Sequence, residues 1–189
     1  MGKLIILTWN PSNWYWDKYK LFIDKYLDLP FNESWACRIR NINIEDEFIL
    51  LLQGKSYKFR GIIGAGKIVS LPYKKEHWDK EKANLGITQT FINISFNKLI
   101  DLTMQKPLTT EYLINKYPQQ HWIPQGSGIS ILPKYKDEIL NEFYNYNEEG
   151  NSLIDKDVKE ITKRKSKYLK LKSKKTAEKK IELDFDEYI

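Results

Sequence analysis

Few side chains in this chain are suited to covalent or metal chemistry. His77 and His121 are the only histidines and Cys37 is the only cysteine. One cysteine excludes an internal disulfide. Together with two histidines it also falls short of a zinc site of the all-cysteine or mixed finger type. Each histidine directly precedes a tryptophan, as His77-Trp78 and His121-Trp122, and neither has a nucleophile and an orienting third group beside it. A loop histidine resting on its neighbour is the simpler reading. Asp17, Asp79 and Asp101 are scattered and suggest no metal cluster. Tryptophan is the abundant reactive surface, at positions 9, 14, 16, 35, 78 and 122. What an indole offers is a flat face for stacking and an N–H that usually needs a partner when buried. A base drawn out of a nucleic-acid helix is held between such faces and read along its edge by a few polar groups. Asn10, beside Trp9, is a candidate for the edge. For any one tryptophan core packing is the expected role, and a cage requires at least two.

The elements that must position these rings follow from hydrophobic patterning. Leu4-Ile-Ile-Leu7 reads as a first strand. Thr8 to Trp16, with an Asn-Pro turn, hands over to a helical spacing at Tyr19, Phe22, Ile23 and Tyr26. Leu29 to Asn32 is a break, and Ser34 to Arg40 alternates as a short strand. Glu45-Asp46-Glu47 reads as an exposed acidic turn. Phe48 to Gln53 is a continuous apolar run, a strand buried on both faces. Phe59 to Ser70 is β-branched and carries glycines at 61, 64 and 66, a pattern of bulges and tight curvature that suits a small barrel. The glycine order is wrong for a dinucleotide loop, and no helical pattern follows it. Leu71 to Gly86 reads as a polar loop with aromatics. Phe91 to Phe96 alternates with period two. Thr109 or Thr110 caps a helix, Tyr117 to Gly128 is a loop rich in amides and glycine, Ile129 to Ile131 is a last strand, and Lys134 to Tyr146 is a closing helix.

Composition sets the outer limits. All six tryptophans precede residue 125, so the compact domain is expected over 1–146, followed by a basic helical linker or tail over 147–189. Between Lys156 and Lys180 twelve lysines and arginines face three acidic residues. A solvated charge run and non-specific phosphate contact stand about level as readings of that tail. The net charge of +6 favours a polyanionic partner, though a lysine-rich genome bias would also produce it. No apolar run approaches the ~20 residues of a membrane span. With no visible signal peptide and one cysteine, the expected location is the cytoplasm.

Several stretches taken together resemble a known family. These are Trp9-Asn-Pro11, Phe48-Ile-Leu-Leu-Leu-Gln-Gly54, Arg60-Gly-Ile-Ile-Gly-Ala-Gly66, His77-Trp-Asp79 and Pro118-Gln-Gln-His-Trp-Ile-Pro-Gln-Gly-Ser-Gly-Ile129. They resemble EVE-like domains of the PUA superfamily, relatives of the YTH readers, above all those fused to HNH nucleases in modification-dependent restriction enzymes. The likeness covers about residues 3–146. It implies an α+β fold, a PUA-like curved β-barrel flanked by helices, that binds a modified base in an aromatic cage. By similarity Trp35 and Trp78 are the cage walls and Asn10 the edge reader. Trp9 replaces a smaller residue and alters the pocket, Trp14 extends the wall or pins the helix, and Trp16 pins the helix. Gln125, Gly126 and Ser127, with Lys74 and Lys75, are the expected phosphate or backbone contacts.

The resemblance implies double-stranded DNA carrying 5-methylcytosine or 5-hydroxymethylcytosine as partner, a role in phage defence, and no cofactor. The nuclease half of those fusions has no counterpart here, since no histidine follows Trp122. The chain is therefore expected to bind and not to cut, with an HNH-type nuclease as a possible partner domain or subunit. Two other readings stay open: a PUA-type module for modified RNA, and an interaction domain with every tryptophan in its core.

Overall fold

The computed structural model describes residues 2–146, and the basic tail expected over 147–189 lies outside them. In chain order the elements are β1 (Leu4–Trp9), α1 (Asp17–Ile23), β2 (Phe31–Ala36), β3 (Glu47–Leu52), β4 (Gly61–Ile68) and β5 (Tyr73–Glu76). There follow α2 (Lys80–Asn84), β6 (Thr88–Leu99), β7 (Leu108–Thr109), α3 (Thr110–Lys116), β8 (Ile129–Ser130) and α4 (Lys136–Asn145). The architecture is α+β. A mixed, open sheet runs β2-β6-β4-β3-β1-β8, with β5 added to β6 and β7 to β4.

The central strands read as unbroken apolar runs because both of their faces are covered. β1 and β3 lie parallel, Leu4 opposite Glu47 through Trp9 opposite Leu52, and Leu4 to Leu7 and Phe48 to Leu52 are all buried. β6 is the longest strand, twelve residues, and pairs with β2, β4 and β5. The glycines of β4 make that crowding feasible. A side-chain carbon at Gly66 would lie 1.9 Å from the Ser95 carbonyl oxygen of β6. The register also shifts between Ala65 and Gly66, and opposite β3 between Leu50 and Leu51, which bends the sheet as bulges do. The two ends of the sheet approach each other at one rim. Just past β2, the Arg38 N–H donates to the Ser127 carbonyl just before β8, at 3.2 Å.

Several local expectations change. Tyr26 lies beyond α1 and is exposed. β2 begins at Phe31, directly after the Leu29–Pro30 cis peptide, so the break is shorter than the sequence suggests. Part of the 71–86 loop is helical, because the Asp79 carboxylate accepts the Glu81 N–H and caps α2. Thr109 caps α3 in the same way, accepting from the Tyr112 N–H.

The acidic turn is not wholly exposed. Asp46 is 2% exposed, and its carboxylate accepts the Lys3 N–H at 2.7 Å and the Asn43 N–H at 2.8 Å. It fastens the start of the chain to the turn before β3, and its charge strengthens both bonds. Asp46→Ala leaves two backbone donors unmet and should cost about 3 kcal/mol of stability, with Asp46→Asn retaining part of it. Urea denaturation of the two variants measures this.

Candidate functional site

The aromatic segment between β1 and α1 is shaped by the needs of two indole N–H groups. Trp9 is buried, and its Nε1 donates to the Trp14 carbonyl at 3.0 Å. The Asn10 carbonyl accepts from the Asn13 and Trp14 amides, and its side-chain Oδ1 accepts from the Ser12 N–H at 3.1 Å. These bonds fold residues 10–14 into a compact turn over the end of β1. Trp16 is 2% exposed and its Nε1 donates to Glu33 Oε2 on β2 at 3.0 Å. It stacks on Tyr19 and so ties α1 to the sheet, as expected.

Beside this turn lies a cleft of about 260 Å³, just below the ~300–1,000 Å³ of ordinary small-molecule pockets. Trp9, Asn10 and Trp14 form one side, Trp35 the base, and Trp78 with Phe91 another side. Gln125, Gly126 and Ser127 complete the rim. The sequence-predicted base-binding residues therefore converge on one hollow.

Their roles differ. Trp35 is only 3% exposed and meets Trp14 and Trp16 edge to face, at centroid distances of 5.0 Å each. It forms the floor and does not offer a free face. Trp78, 48% exposed, and half-buried Trp14 are the more accessible indoles of the cleft. Trp9 is mainly core, set against Trp16, Tyr19 and Tyr57.

The rim is fixed by hydrogen bonds to the sheet. Ser127 Oγ accepts the Thr8 N–H at 2.9 Å. Gln53, at the end of β3, donates through Nε2 to the Pro124 carbonyl at 2.7 Å. Exposed Arg38 also lines the cleft, and its guanidinium lies within 4 Å of where a side chain on Gly126 would begin. Lys74 and Lys75 stand exposed on β5 and do not line the cleft. Lys75 Nζ instead sits 5.7 Å from the centroid of the Phe91 ring.

Sequence reasoning missed Ser34, Arg38, Gln53, Gln89 and Phe91 as cleft residues. The alternation of β6 carried the only available signal, since it places Gln89 and Phe91 on one face. A second hollow, about 450 Å³, shares Asn10, Gln53 and Gln125 with the first and contains Arg60.

The histidines play local parts. His77 Nδ1 accepts the Asp79 N–H at 3.0 Å and the ring lies near Trp78. His121 is exposed, while the neighbouring Trp122 is buried with its Nε1 donating to the Tyr117 carbonyl. Among the described residues no group of three or more His, Cys, Asp or Glu side chains is placed to hold a metal ion. No helix among them is long and apolar enough to cross a membrane.

With this geometry in hand, the chain can be set beside known proteins. No family model matches it, and no curated protein does. Among solved structures, a hypothetical protein from Leishmania major aligns with a TM-score of 0.50 at 14% identity, over 76% of this chain and 96% of its own. A Pseudomonas syringae protein aligns with a TM-score of 0.44 at 17% identity, over 73% and 97%. The first likeness bears on the fold alone. The class so defined is an α+β domain on a mixed, open sheet.

Cys37, behind the rim, gives a check on this packing. It is buried, and a side chain on Gly128 would meet its Sγ at 3.1 Å. Burial pushes the thiol up from 9.0 to about 11. It should stay unlabelled by iodoacetamide at pH 8 in the native protein and react fully in denaturant. Because the folded pKa is the higher, the unfolded chain ionises first as pH rises. The thiol's contribution to stability is therefore intact below pH 9 and falls towards pH 11. A Cys37→Ala variant should lack that part of the alkaline decline.

Proposed function

We propose that the domain is a reader of modified bases: an EVE-like member of the PUA superfamily whose curved sheet serves as a PUA-like barrel. The observation that carries the reading is the cleft itself. Its reachable indoles, Trp14 and Trp78, flank a floor made by Trp35, and amides and an arginine stand at its edges. A flat heterocycle is the ligand for which such a hollow is suited. The approach of the sheet's ends at Arg38 and Ser127 is consistent with barrel-like curvature.

In this reading one nucleotide turns out of duplex DNA, and its base slides over Trp35 to stack on Trp78 and Trp14. The stacking pair differs from the Trp35–Trp78 sandwich implied by resemblance, because Trp35 is only 3% exposed. Extrusion costs a few kcal/mol, and base–aromatic stacking returns ~1–3 kcal/mol per base. Hydrogen bonds at the edge supply the remainder. Burial of a methyl group adds only about 0.8 kcal/mol, so selection for 5-methylcytosine or 5-hydroxymethylcytosine needs the shape of the walls as well. Arg38 is placed for the adjoining phosphate. The proposed setting is a modification-dependent restriction system in which this chain recognises DNA and a separate nuclease domain or subunit cuts it.

A fluorescence-anisotropy panel tests the reading. One duplex carries unmodified, methylated or hydroxymethylated cytosine, or methyladenine, and a matched RNA carries the methylated bases. Tighter binding of a cytosine-modified duplex is expected. Trp78→Ala and Trp14→Ala should each weaken it by roughly 5- to 100-fold, the equivalent of one lost stacking contact. Arg38→Ala should lower the slope of log affinity against log salt by about one. Preference for the RNA would move the reading to an RNA-binding module, and indifference to every probe would end it.

A further inference from the structure

Among the described residues, one buried side-chain oxygen or nitrogen has no hydrogen-bond partner, and it is Gln89 Oε1. Folded proteins seldom leave such an atom unmet without a reason. Gln89 is also one of the residues that line the cleft.

Its placement follows from the pleat of β6. Gln89, Phe91 and Asn93 alternate onto one face, and their amides have different fates. Asn93 Oδ1 accepts from the Tyr73 hydroxyl at 2.7 Å, and Ser34 Oγ lies 2.8 Å from that hydroxyl. With its own proton given to Asn93, the tyrosine oxygen receives one from Ser34. No comparable partner reaches Gln89, and no hydrogen bond within the described residues holds either end of its amide. Asn10, the other amide at the base of the turn, has its oxygen committed to the Ser12 N–H. Asn10 keeps its amide donors and one lone pair. Among the cleft amides, Gln89 is the one whose oxygen is both buried and unmet.

We infer that Gln89 is the specificity-determining residue of the cleft: its side-chain carbonyl accepts an N–H from the edge of the bound heterocycle. The inference rests on the base-binding reading above and narrows its substrate class. A base that keeps a hydrogen on its exocyclic amino group is accepted, which covers 5-substituted cytosines and adenine derivatives. A base with no N–H at that ring position, where thymine has a carbonyl and pyrimidin-2-one a hydrogen, leaves the oxygen unmet there. A turn of the amide about its last side-chain bond brings the oxygen to the incoming donor, and no protein hydrogen bond has to break for it. Sites built this way discriminate strongly against an analogue that lacks the donor.

The test uses the full chain and three duplexes of one sequence. Each carries a single 5-methylcytosine, 5-methylpyrimidin-2-one (the amino group replaced by hydrogen) or thymine opposite an abasic site, which equalises the loss of pairing. The wild type should bind the amino-bearing duplex about tenfold or more tightly than either of the others. Gln89→Leu should bind all three within about twofold, and Gln89→Met provides a second apolar variant should leucine impair folding, as judged by thermal melting. Equal binding of the first two duplexes by the wild type overturns the inference and leaves the base-binding reading standing. So does undiminished discrimination by the leucine or methionine variant, or a preference for thymine. Failure of the wild type to bind any of the three overturns the base-binding reading, and the inference falls with it.

Discussion

An indole N–H cannot be enclosed without an acceptor, and the site is arranged around that constraint. Trp9 ends β1 inside the core, and the carbonyl that meets its N–H belongs to Trp14. The intervening residues are thereby drawn back over the strand end instead of running on into α1. This return brings Trp14 against Trp35 and leaves a hollow on its outer side. Trp16 is subject to the same demand, met by Glu33, and this second bond sets α1 against β2. Two N–H groups thus decide where the turn lies and where the helix begins. With ring centroids 5.0–6.1 Å apart among Trp14, Trp16 and Trp35, the cluster adds aromatic attraction to simple area burial.

The sheet supplies the opposite wall through curvature. β6 crosses β4 where Gly66 presents no side chain, and the register shift there turns its first half away from the direction of its second. That first half carries Gln89 and Phe91 and pairs with β5, which leads directly to Trp78. A flatter sheet would hold these residues away from the turn at the end of β1. The rim contact between Arg38 and Ser127 brings the amide-rich loop to the same place.

Much of the scaffold was legible from pattern alone. The unbroken run of Phe48 to Leu52, the glycine spacing in β4 and the alternation in β6 each reflect a strong physical demand: burial on two faces, close backbone approach, and burial on one. Short elements were harder to read. α2 depends on one capping aspartate in a polar stretch, and Asp46 is buried by partners 43 residues away in one case and three in the other. At the site, the tryptophans and the 125–127 loop announced themselves by residue type and composition. Arg38 and Gln89 did not, because a lone arginine or glutamine has the same sequence signature on any strand. Only the pairing of β2 with β6, and the curvature that follows, gives them a common location. Resemblance placed Trp35 in the cleft, but its burial against Trp14 and Trp16 depends on how the turn packs.

The Arg38–Ser127 hydrogen bond also has a bearing on how the molecule assembles. It joins backbone positions 89 residues apart by number, and the cleft draws on segments between Thr8 and Ser127. Long-separated pairings of this kind close late, since each must overcome the entropy of a large loop. A nascent chain emerging from the ribosome would have both reachable indoles well before it had a rim. Competence to hold a ligand therefore arrives near the end of folding, and the apolar ring faces spend that interval uncovered.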